Sequence, residues 1–363
     1  MTAVPEFAPS LVVTSRLTMN VWTSGPEDGR PVLLVHGNLT TGGFWRYVAE
    51  QLPADVRVIA PDLRGFGKTD AEPVTATNGL GDMVEDVRSL LEALELTDSR
   101  LVAAGWSMGG GVLEQYLLTY PDDLGGLVLI APLSPYGFGG TKGEDGTLCF
   151  PDAAGSGAGG ANPQFIVRLA AGDRSEDDPQ TSPRVVMRTF FGAGDNAANV
   201  DEEFLLTELL TTRTGEDFYP GSTAPSENWP GAAPGTFGIL NTMTPNHFNA
   251  SAIAGLETKP PITWIRGTED QIVSDRSLFD LATLGEMGAI PGWPGADVLP
   301  PQPMVAQMRA VLADYEARGG QVSEVALDGI GHGIPLEVPG RVADELMALL
   351  DRTPGDGLPP IQA

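Results

Sequence analysis

The chain has little cysteine, histidine and lysine, and it contains no long hydrophobic run. Cys149 is the single cysteine among 363 residues, which excludes an internal disulfide and fits a reducing compartment or an exported protein without cross-links. No window approaches the roughly 18 apolar residues of a membrane span. The first residues, 1–10, lack the basic start and apolar core of a signal peptide. We therefore expect a cytoplasmic protein.

Basic residues are scarce relative to acidic ones. The 21 lysine and arginine residues face 48 aspartate and glutamate residues, for a net charge of −27. Such a surface repels nucleic acid and anionic membranes, so we expect neither as a partner. A high-GC genome or adaptation to salt explains the same composition, so the charge alone does not identify a substrate.

Short apolar runs alternate with helix-like segments in two parts of the chain. Residues 11–22 predict an antiparallel hairpin, and Asp82 with Glu85 forms the pattern of a capping box. Buried-strand runs lie at 32–35, 56–60, 101–104, 127–130, 262–265 and 322–327. Helical patterns lie at 41–52, 82–94, 107–120 and 339–350. This order predicts the α/β class with a doubly wound, mostly parallel sheet.

The alternating pattern stops after Pro132 and returns only at Ile262. Nine glycines fall within residues 136–162, and helical patterns follow at 181–191 and 201–213. A segment of this length inside a core is usually functional. We therefore predict a first core part, a mainly helical cap insertion, a second core part and a C-terminal tail, at residues 1–132, 133–257, 258–353 and 354–363.

A Gly-x-Ser-x-Gly pentapeptide, residues 105–109, separates an apolar strand from a helix. Two glycines bracket Ser107 because the turn is too tight for side chains, and the turn pushes the hydroxyl outward. A serine hydroxyl is a poor nucleophile at neutral pH. It needs a general base and a group that orients this base.

The chain has only three histidines that could act as this base: His36, His247 and His332. Reactive groups of an open parallel sheet collect at the carboxyl ends of its strands. His332 follows the last predicted strand and Asp270 follows the one before it. The order Ser…Asp…His is the one expected for this kind of turn, so we predict a triad of Ser107, Asp270 and His332. His36 is predicted to hydrogen-bond within its own loop.

Five motifs, each at the end of a predicted strand, resemble those of the α/β-hydrolase superfamily. They are His-Gly-Asn at 36–38, Asp-Leu-Arg-Gly-Phe-Gly at 62–67, Gly-Trp-Ser-Met-Gly-Gly at 105–110, Gly-Thr-Glu-Asp at 267–270 and Gly-His at 331–332. The resemblance covers residues 11–132 and 258–352, and the insertion resembles the variable cap of that superfamily. Asp62 and Arg64 are predicted to brace the loop in which they lie.

The resemblance implies a role for each site residue. Ser107 would be the nucleophile, and His332 the general base and then the acid for the leaving group. Asp270 would fix the imidazole tautomer and stabilise its cation. The oxyanion hole would use the backbone N–H groups of Asn38 and Met108.

Contact with substrate is predicted for two residues beside the nucleophile and for three in the insertion. The first two are Leu39 and Trp106, and the others are Phe190, His247 and Phe248. Ordinary packing between cap and core is the alternative interpretation of all five.

The serine nucleophile selects among the reactions of the family. Members that open epoxides or displace halide are expected to use aspartate at this position, so acyl transfer is favoured. We predict a serine hydrolase, a carboxylesterase that cleaves esters or lactones of small to medium, uncharged substrates through an acyl-enzyme. Neither a Cys/His cluster with metal spacing nor a phosphate-binding loop is present, so no metal or cofactor is predicted.

Other reactions on the same triad stay open at this point. They are carbon–carbon bond hydrolysis, cofactor-free perhydrolysis or haloperoxidation, and acyl transfer to an alcohol. A ligand receptor with slow turnover would also carry the same residues. The sequence leaves the oligomeric state open.

Overall fold

An eight-stranded sheet lies at the centre of the structure, a computed structural model that describes residues 6–353 apart from 98–99, 193–196 and 198–199. Its strands are β1 (Ala8–Val13), β2 (Thr18–Ser24), β3 (Arg30–Val35), β4 (Val56–Pro61), β5 (Leu101–Trp106), β6 (Leu124–Ile130), β7 (Ile262–Gly267) and β8 (Val322–Leu327). The order across the sheet is β1-β2-β4-β3-β5-β6-β7-β8. The strands β1 and β2 run antiparallel to their neighbours, and the other pairs are parallel. The predicted tail, 354–363, lies outside the described residues.

Helices accompany the sheet along the whole described chain. They are α1 (Arg46–Ala49), α2 (Gly81–Ala93), α3 (Met108–Thr119), α4 (Pro163–Ala170), α5 (Pro183–Phe190), α6 (Glu202–Leu209), α7 (Ile239–Thr242), α8 (Leu281–Glu286), α9 (Met304–Ala317), α10 (Ile334–Glu337) and α11 (Pro339–Leu350). Short 3-10 helices lie at Gly42–Trp45, Gly157–Gly160 and Ser251–Gly255. None of the described helices is both long and apolar enough to cross a membrane.

The central strands are apolar on both faces. Every residue of β5 and β6 is buried, and the helices α3 and α11 both pack on these two strands. Parallel strands covered by helices on both faces have this continuous apolar pattern. The predicted α/β class and the antiparallel hairpin at residues 11–22 are therefore confirmed.

The strand order reverses at β3, which pairs with β4 on one side and β5 on the other. The chain runs from β3 to β4 on one side and then crosses back over β3 to β5 on the other, so a crevice opens at the carboxyl ends of β3 and β5. Ligands of open α/β sheets bind in such a crevice. The loop 36–41 and Ser107 follow these two strands directly.

The segment between β6 and β7 contains α4 to α7 and three short strand pairs. These pairs are Thr141–Lys142 with Thr147–Leu148, Thr214–Gly215 with Tyr219–Pro220, and Thr223–Pro225 with Ala232–Pro234. Helix exceeds strand in this segment, which we call the cap, and its helical content is consistent with the predicted cap insertion. Its boundaries at 133 and 257 stay a prediction.

The helix predicted at 41–52 is wrong in length. The structure has the 3-10 helix Gly42–Trp45 followed by the single-turn α1. Asp62 Oδ1 accepts a hydrogen bond from the Gly42 N–H at 2.9 Å, so a contact with the neighbouring loop fixes the start of the segment. Apolar spacing does not report such a contact.

The capping box predicted at Asp82 and Glu85 is also wrong. Helix α2 has Leu80 at its N-cap, with no side-chain capping bond. The Asp82 carboxylate accepts the Thr75 N–H at 2.9 Å, and the Glu85 carboxylate accepts the Tyr120 hydroxyl. Both side chains therefore make tertiary contacts in place of the local cap.

Candidate active site

Ser107 lies in a strained turn between β5 and α3. Its backbone has φ of 57° and ψ of −119°, a conformation that costs a residue other than glycine about 1–3 kcal/mol. A Cβ atom on Gly105 would collide with the backbone of Gly109, and one on Gly109 would collide with the carbonyl of Val35. The two glycines are therefore required by close backbone approach, as the pentapeptide predicts.

The same turn is fixed to a neighbouring strand. The Ser107 N–H donates to the Ile130 carbonyl at 2.9 Å, and the Ser107 carbonyl accepts the Leu133 N–H at 3.1 Å. These bonds hold the strained backbone against β6. Because these bonds fix the backbone of Ser107, the sheet determines where its side chain lies.

His332 and Asp270 form a buried pair. His332 Nδ1 lies 2.8 Å from Asp270 Oδ2, and the two residues are 4% and 6% exposed. Asp270 Oδ1 accepts the N–H groups of Ile272 at 2.7 Å and Val273 at 2.9 Å. The loop after β7 thus orients the carboxylate. The carboxylate in turn keeps the proton on Nδ1 and leaves Nε2 as an acceptor.

Trp106 links the strained turn to the loop of His332. Its Nε1 donates to the His332 carbonyl at 2.8 Å, and the centroids of the indole and imidazole rings are 5.7 Å apart. Within the described residues, Ser107 Oγ makes no hydrogen bond to His332. Such bonds are often long in the absence of substrate and tighten in the reactive complex.

The loop 36–41 brings backbone N–H groups to the serine. A Cβ atom on Gly37 would lie 3.1 Å from Ser107 Cβ, so the loop passes directly beside the nucleophile. Among the described residues, the N–H groups of Asn38 and Met108 donate to no acceptor. Met108 begins α3, where free N–H groups and the helix dipole favour negative charge.

His36 holds this loop as a neutral side chain. Its Nε2 accepts the Leu63 N–H at 2.8 Å, and its Nδ1 lies 2.7 Å from the Gly37 carbonyl. Burial lowers the pKa of His36 to about 4, although the Gly37 carbonyl opposes this shift. The predicted structural role of His36 is confirmed.

Asp62 and Arg64 brace the neighbouring loop as predicted. The Asp62 carboxylate accepts Asn20 Nδ2 at 2.7 Å and the Gly42 N–H at 2.9 Å, and burial raises its pKa. Arg64 makes two hydrogen bonds of 2.8 Å to the carboxylate of Asp86. Both side chains therefore connect separate segments of the core through hydrogen bonds.

Comparison with known proteins agrees with this architecture. Residues 30–144 match a family model described as the alpha/beta hydrolase fold. Together with the sheet order, this match shows that the chain has the alpha/beta hydrolase fold. A solved structure of the same fold, the esterase RhEst1 from Rhodococcus sp. ECU1013, has a TM-score of 0.56 and 21% identity, covering 95% of this chain and 99% of that chain.

Two curated relatives match parts of this chain in sequence. A serine hydrolase-like protein of Danio rerio is 36% identical over 118 residues, which is 32% of this chain and 34% of the relative. The 2-hydroxymuconate semialdehyde hydrolase of Pseudomonas sp. (strain CF600) is 31% identical over 132 residues, 35% of this chain and 45% of the relative. The chain therefore spans a third to a half of the length of these relatives.

The two predicted substrate contacts beside the nucleophile lie in different surroundings. Leu39 has a positive φ of 60° and is buried in the loop that carries Asn38. Trp106 is also buried, and its indole N–H donates to the His332 carbonyl. The Trp106 indole therefore supports the loop that carries His332, and its contact with substrate stays a prediction.

The cap reaches the site through two residues that sequence reasoning missed. The Phe191 ring is buried and lies edge-on to Trp106, with centroids 6.4 Å apart. A Cβ atom on Gly192 would lie 2.8 Å from the Gly333 Cα, so the cap touches the residue after His332. The Phe-Phe-Gly run at the end of a helical pattern was the available signal, but it does not show which phenylalanine turns inward.

The structure shows the partners of the other three predicted cap contacts. The Phe190 ring packs edge-on against Phe279, with centroids 4.8 Å apart. His247 Nε2 lies 3.1 Å from the Gly235 carbonyl, and Phe248 is buried in the hydrophobic core. Their contact with substrate also stays a prediction. Within the described ranges, no group of three or more His, Cys, Asp or Glu side chains is arranged to hold a metal ion.

Proposed function

We propose that this α/β hydrolase is a serine hydrolase that cleaves carboxylic esters or lactones through an acyl-enzyme. The observation that carries the proposal is the strained Ser107 turn, linked through Trp106 to a buried His332–Asp270 pair. Strain of this kind is found where a side chain must be presented for reaction. A packing role alone does not require a buried carboxylate beside the imidazole.

In the acylation step, Ser107 Oγ attacks the carbonyl carbon and His332 Nε2 takes the serine proton. Asp270 stabilises the resulting imidazolium through the 2.8 Å contact with Nδ1. Negative charge develops on the carbonyl oxygen, and the N–H groups of Asn38 and Met108 are the proposed donors to it. A donor of this kind is typically worth about 10²–10³ in kcat.

Collapse of the tetrahedral intermediate breaks the bond to the leaving oxygen, which takes the proton from His332. The acyl group is left on Ser107. Water then attacks the acyl carbon while His332 accepts its proton, and the acid product leaves with the serine reprotonated. For a lactone, the acid and the alcohol leave as one molecule.

The surroundings of the triad support an uncharged, apolar substrate. His332 and Asp270 are almost fully buried, the Trp106 ring lies beside His332, and the Phe191 ring lies beside Trp106. Placing a charged group among such side chains would be costly without a partner. The net charge of −27 disfavours anionic substrates further.

A carbon–carbon bond hydrolase acting on a diketone-like substrate is the second candidate. The observation in its favour is the match to 2-hydroxymuconate semialdehyde hydrolase over 132 residues. The same attack on a carbonyl would operate, but a carbanion would leave in place of an alkoxide. Ser107 would be the nucleophile in both reactions, which differ in the substrate that is cleaved.

The proposal is tested with a chain-length series of esters, lactones, amides and diketones on wild type and Ser107→Ala. We expect esters or lactones of small to medium size to be hydrolysed fastest, with the variant inactive and its circular dichroism unchanged. Fastest turnover of diketones would select the second candidate. Transfer to an added alcohol that exceeds hydrolysis would select an acyltransferase, and substantial residual kcat in Ser107→Ala would overturn the serine mechanism.

A further inference from the structure

The cap contacts the loop 36–41, which we call the oxyanion loop, through a carboxylate on α6. Thr41 Oγ1 donates to Glu208 Oε2 at 2.7 Å. Thr41 lies three positions after Asn38, whose N–H is a proposed oxyanion donor. A residue of the cap is thus bonded to the segment that places this donor.

The rest of α6 is docked on the core at the same place. A Cβ atom on Gly43 would lie 3.1 Å from Phe204 Cζ. Just after the helix, Thr211 Oγ1 accepts the Gly67 N–H at 3.0 Å. These contacts on both sides of Glu208 keep the helix against the two core loops, so the carboxylate is held in place.

The Thr41 hydroxyl has a second function in the loop. It accepts the Gly43 N–H at 3.2 Å and so caps the 3-10 helix that follows the oxyanion loop. A hydroxyl has one proton and two lone pairs. Donation of this proton to Glu208 leaves a lone pair free for Gly43, so the cap bond orients the end of the loop.

Among the described residues, the other side-chain hydrogen bonds that hold the oxyanion loop come from the core. His36 connects the start of the loop to Leu63, and Thr40 Oγ1 donates to the Gly37 carbonyl at 2.8 Å. Glu208 is therefore the contribution of the cap to a loop that is otherwise fixed by the core.

The position of Glu208 is unfavourable for an acidic side chain. Burial raises the pKa of its carboxyl and the nearby Asp62 raises it further, against a lowering by the Thr41 hydrogen bond. Leu205 and Leu209 on the same helix are buried without such a cost. A leucine at position 208 would avoid this cost, but it could not accept the hydrogen bond from Thr41.

We infer that Glu208 is a positioning residue, which holds the oxyanion loop through Thr41 so that the Asn38 N–H faces the reacting carbonyl while α6 is docked. The inference rests on the proposed acyl-transfer mechanism. It means that the cap contributes to the rate of the chemical step as well as to substrate choice. A misplacement of about 1 Å in a reacting group can cost about 10²-fold in rate.

The test compares Glu208→Ala and Glu208→Gln with Glu203→Ala, which changes an acid on the same helix that pairs with Arg184 and Arg174. We expect Glu208→Ala to lower kcat by about ten- to hundredfold with KM within about twofold, less than the loss of an oxyanion donor. Glu208→Gln should recover most of kcat because its amide oxygen accepts from Thr41. Glu203→Ala should keep the wild-type kcat.

A folded Glu208→Ala with unchanged kcat would overturn the inference, and so would a rise in KM alone or an equal loss in the Ala and Gln variants. If Glu208→Ala does not fold, Thr41→Val and Thr41→Ser replace it, and only the valine variant should lose kcat. A Thr41→Val/Glu208→Ala double variant that folds should be no slower than the slower single variant.

The inference and the proposed function fail separately. Activity that survives in Ser107→Ala would remove the acyl-enzyme mechanism, and the inference with it. Labelling of Ser107 by a fluorophosphonate, together with a normal kcat in Glu208→Ala, would remove only the role of Glu208.

Discussion

The core and the cap of this protein are each held together by different kinds of contact. In the core, fully buried strands such as β5 and β6 pack beneath apolar helices, and the Arg64–Asp86 pair is almost fully buried. In the cap, α5 and α6 are joined by half-exposed pairs such as Arg188–Glu202. The core places the proposed catalytic groups, and the cap is expected to select the substrate.

The largest expected effect separates the chemical roles of the two regions. Asp270→Asn should lower kcat by about 10⁴-fold, because the histidine tautomer would no longer be fixed. Phe191→Ala in the cap should shift the ratio of kcat/KM between a short and a long ester by about ten- to hundredfold. Steady-state kinetics of both variants on two esters checks this. A cap variant as inactive as Asp270→Asn on every ester would erase the distinction.

The second comparison concerns the two ion pairs. Arg64→Ala removes two of the arginine hydrogen bonds to the buried Asp86, leaves the one from Arg16, and should lower the free energy of unfolding by about 3 kcal/mol. Arg188→Ala should lower it by about 1 kcal/mol or less, because the cap pair is partly hydrated. Urea unfolding measures both values. Similar losses would show that the cap is as tightly coupled to stability as the core.

His36 predicts how stability of the core depends on pH. Its pKa falls from 6.5 in the unfolded chain to about 4 when folded. The contribution of neutral His36 to the free energy of unfolding is complete above pH 6.5. It is lost as pH falls toward 4, because the histidine of the unfolded chain takes up a proton at higher pH than that of the folded protein. At about 1.4 kcal/mol per unit, the loss is about 3 kcal/mol.

His36→Gln should therefore lose less stability than wild type between pH 6.5 and 4. Urea unfolding at both pH values measures the difference, and His247→Gln in the cap is the control for removing a histidine. Equal losses in His36→Gln and wild type would contradict the proposed origin of the acid sensitivity.

The smallest of the predicted changes in stability concerns Glu114 in α3. The residue is 1% exposed, neither carboxylate oxygen has a hydrogen-bond partner among the described residues, and burial raises its pKa well above the usual value. The raised pKa means that stability present below pH 4.5 is lost as pH rises through the folded value. An unpartnered acid inside the apolar core is thus a local cost.

Glu114→Leu should raise the free energy of unfolding at pH 8 by about 1–3 kcal/mol, with a smaller gain in acid. Glu92→Leu on α2, where the acid pairs with Arg88 at the surface, is the matched control and should change stability by less than about 0.5 kcal/mol. Denaturant unfolding at two pH values distinguishes them. Destabilisation by Glu114→Leu at pH 8 would show that the carboxylate is needed where it lies.

Much of the core can be predicted from the sequence because its signals are local. The strand β8 and the helix α11 begin and end at the residues predicted for them, since apolar period and Pro339 are both visible in a short window. The turn at Ser107 is equally local, because glycines two positions away on each side create the space that it needs.

The connections between elements could not be predicted in the same way. The bond from Trp106 to His332 joins positions 226 residues apart, and the bond from Thr41 to Glu208 joins positions 167 apart. Both depend on where a loop lies after folding. The capping-box prediction was wrong for the same reason, because the Asp82 and Glu85 carboxylates accept hydrogen bonds from residues outside α2.

The most direct test of the acyl-enzyme is a rapid-mixing experiment with a p-nitrophenyl ester, followed by mass spectrometry of the quenched enzyme. We expect a burst of p-nitrophenol, steady turnover, and the acyl mass on the peptide that contains Ser107. Release of one equivalent without turnover would indicate a receptor, and acylation at another residue would contradict the proposed nucleophile.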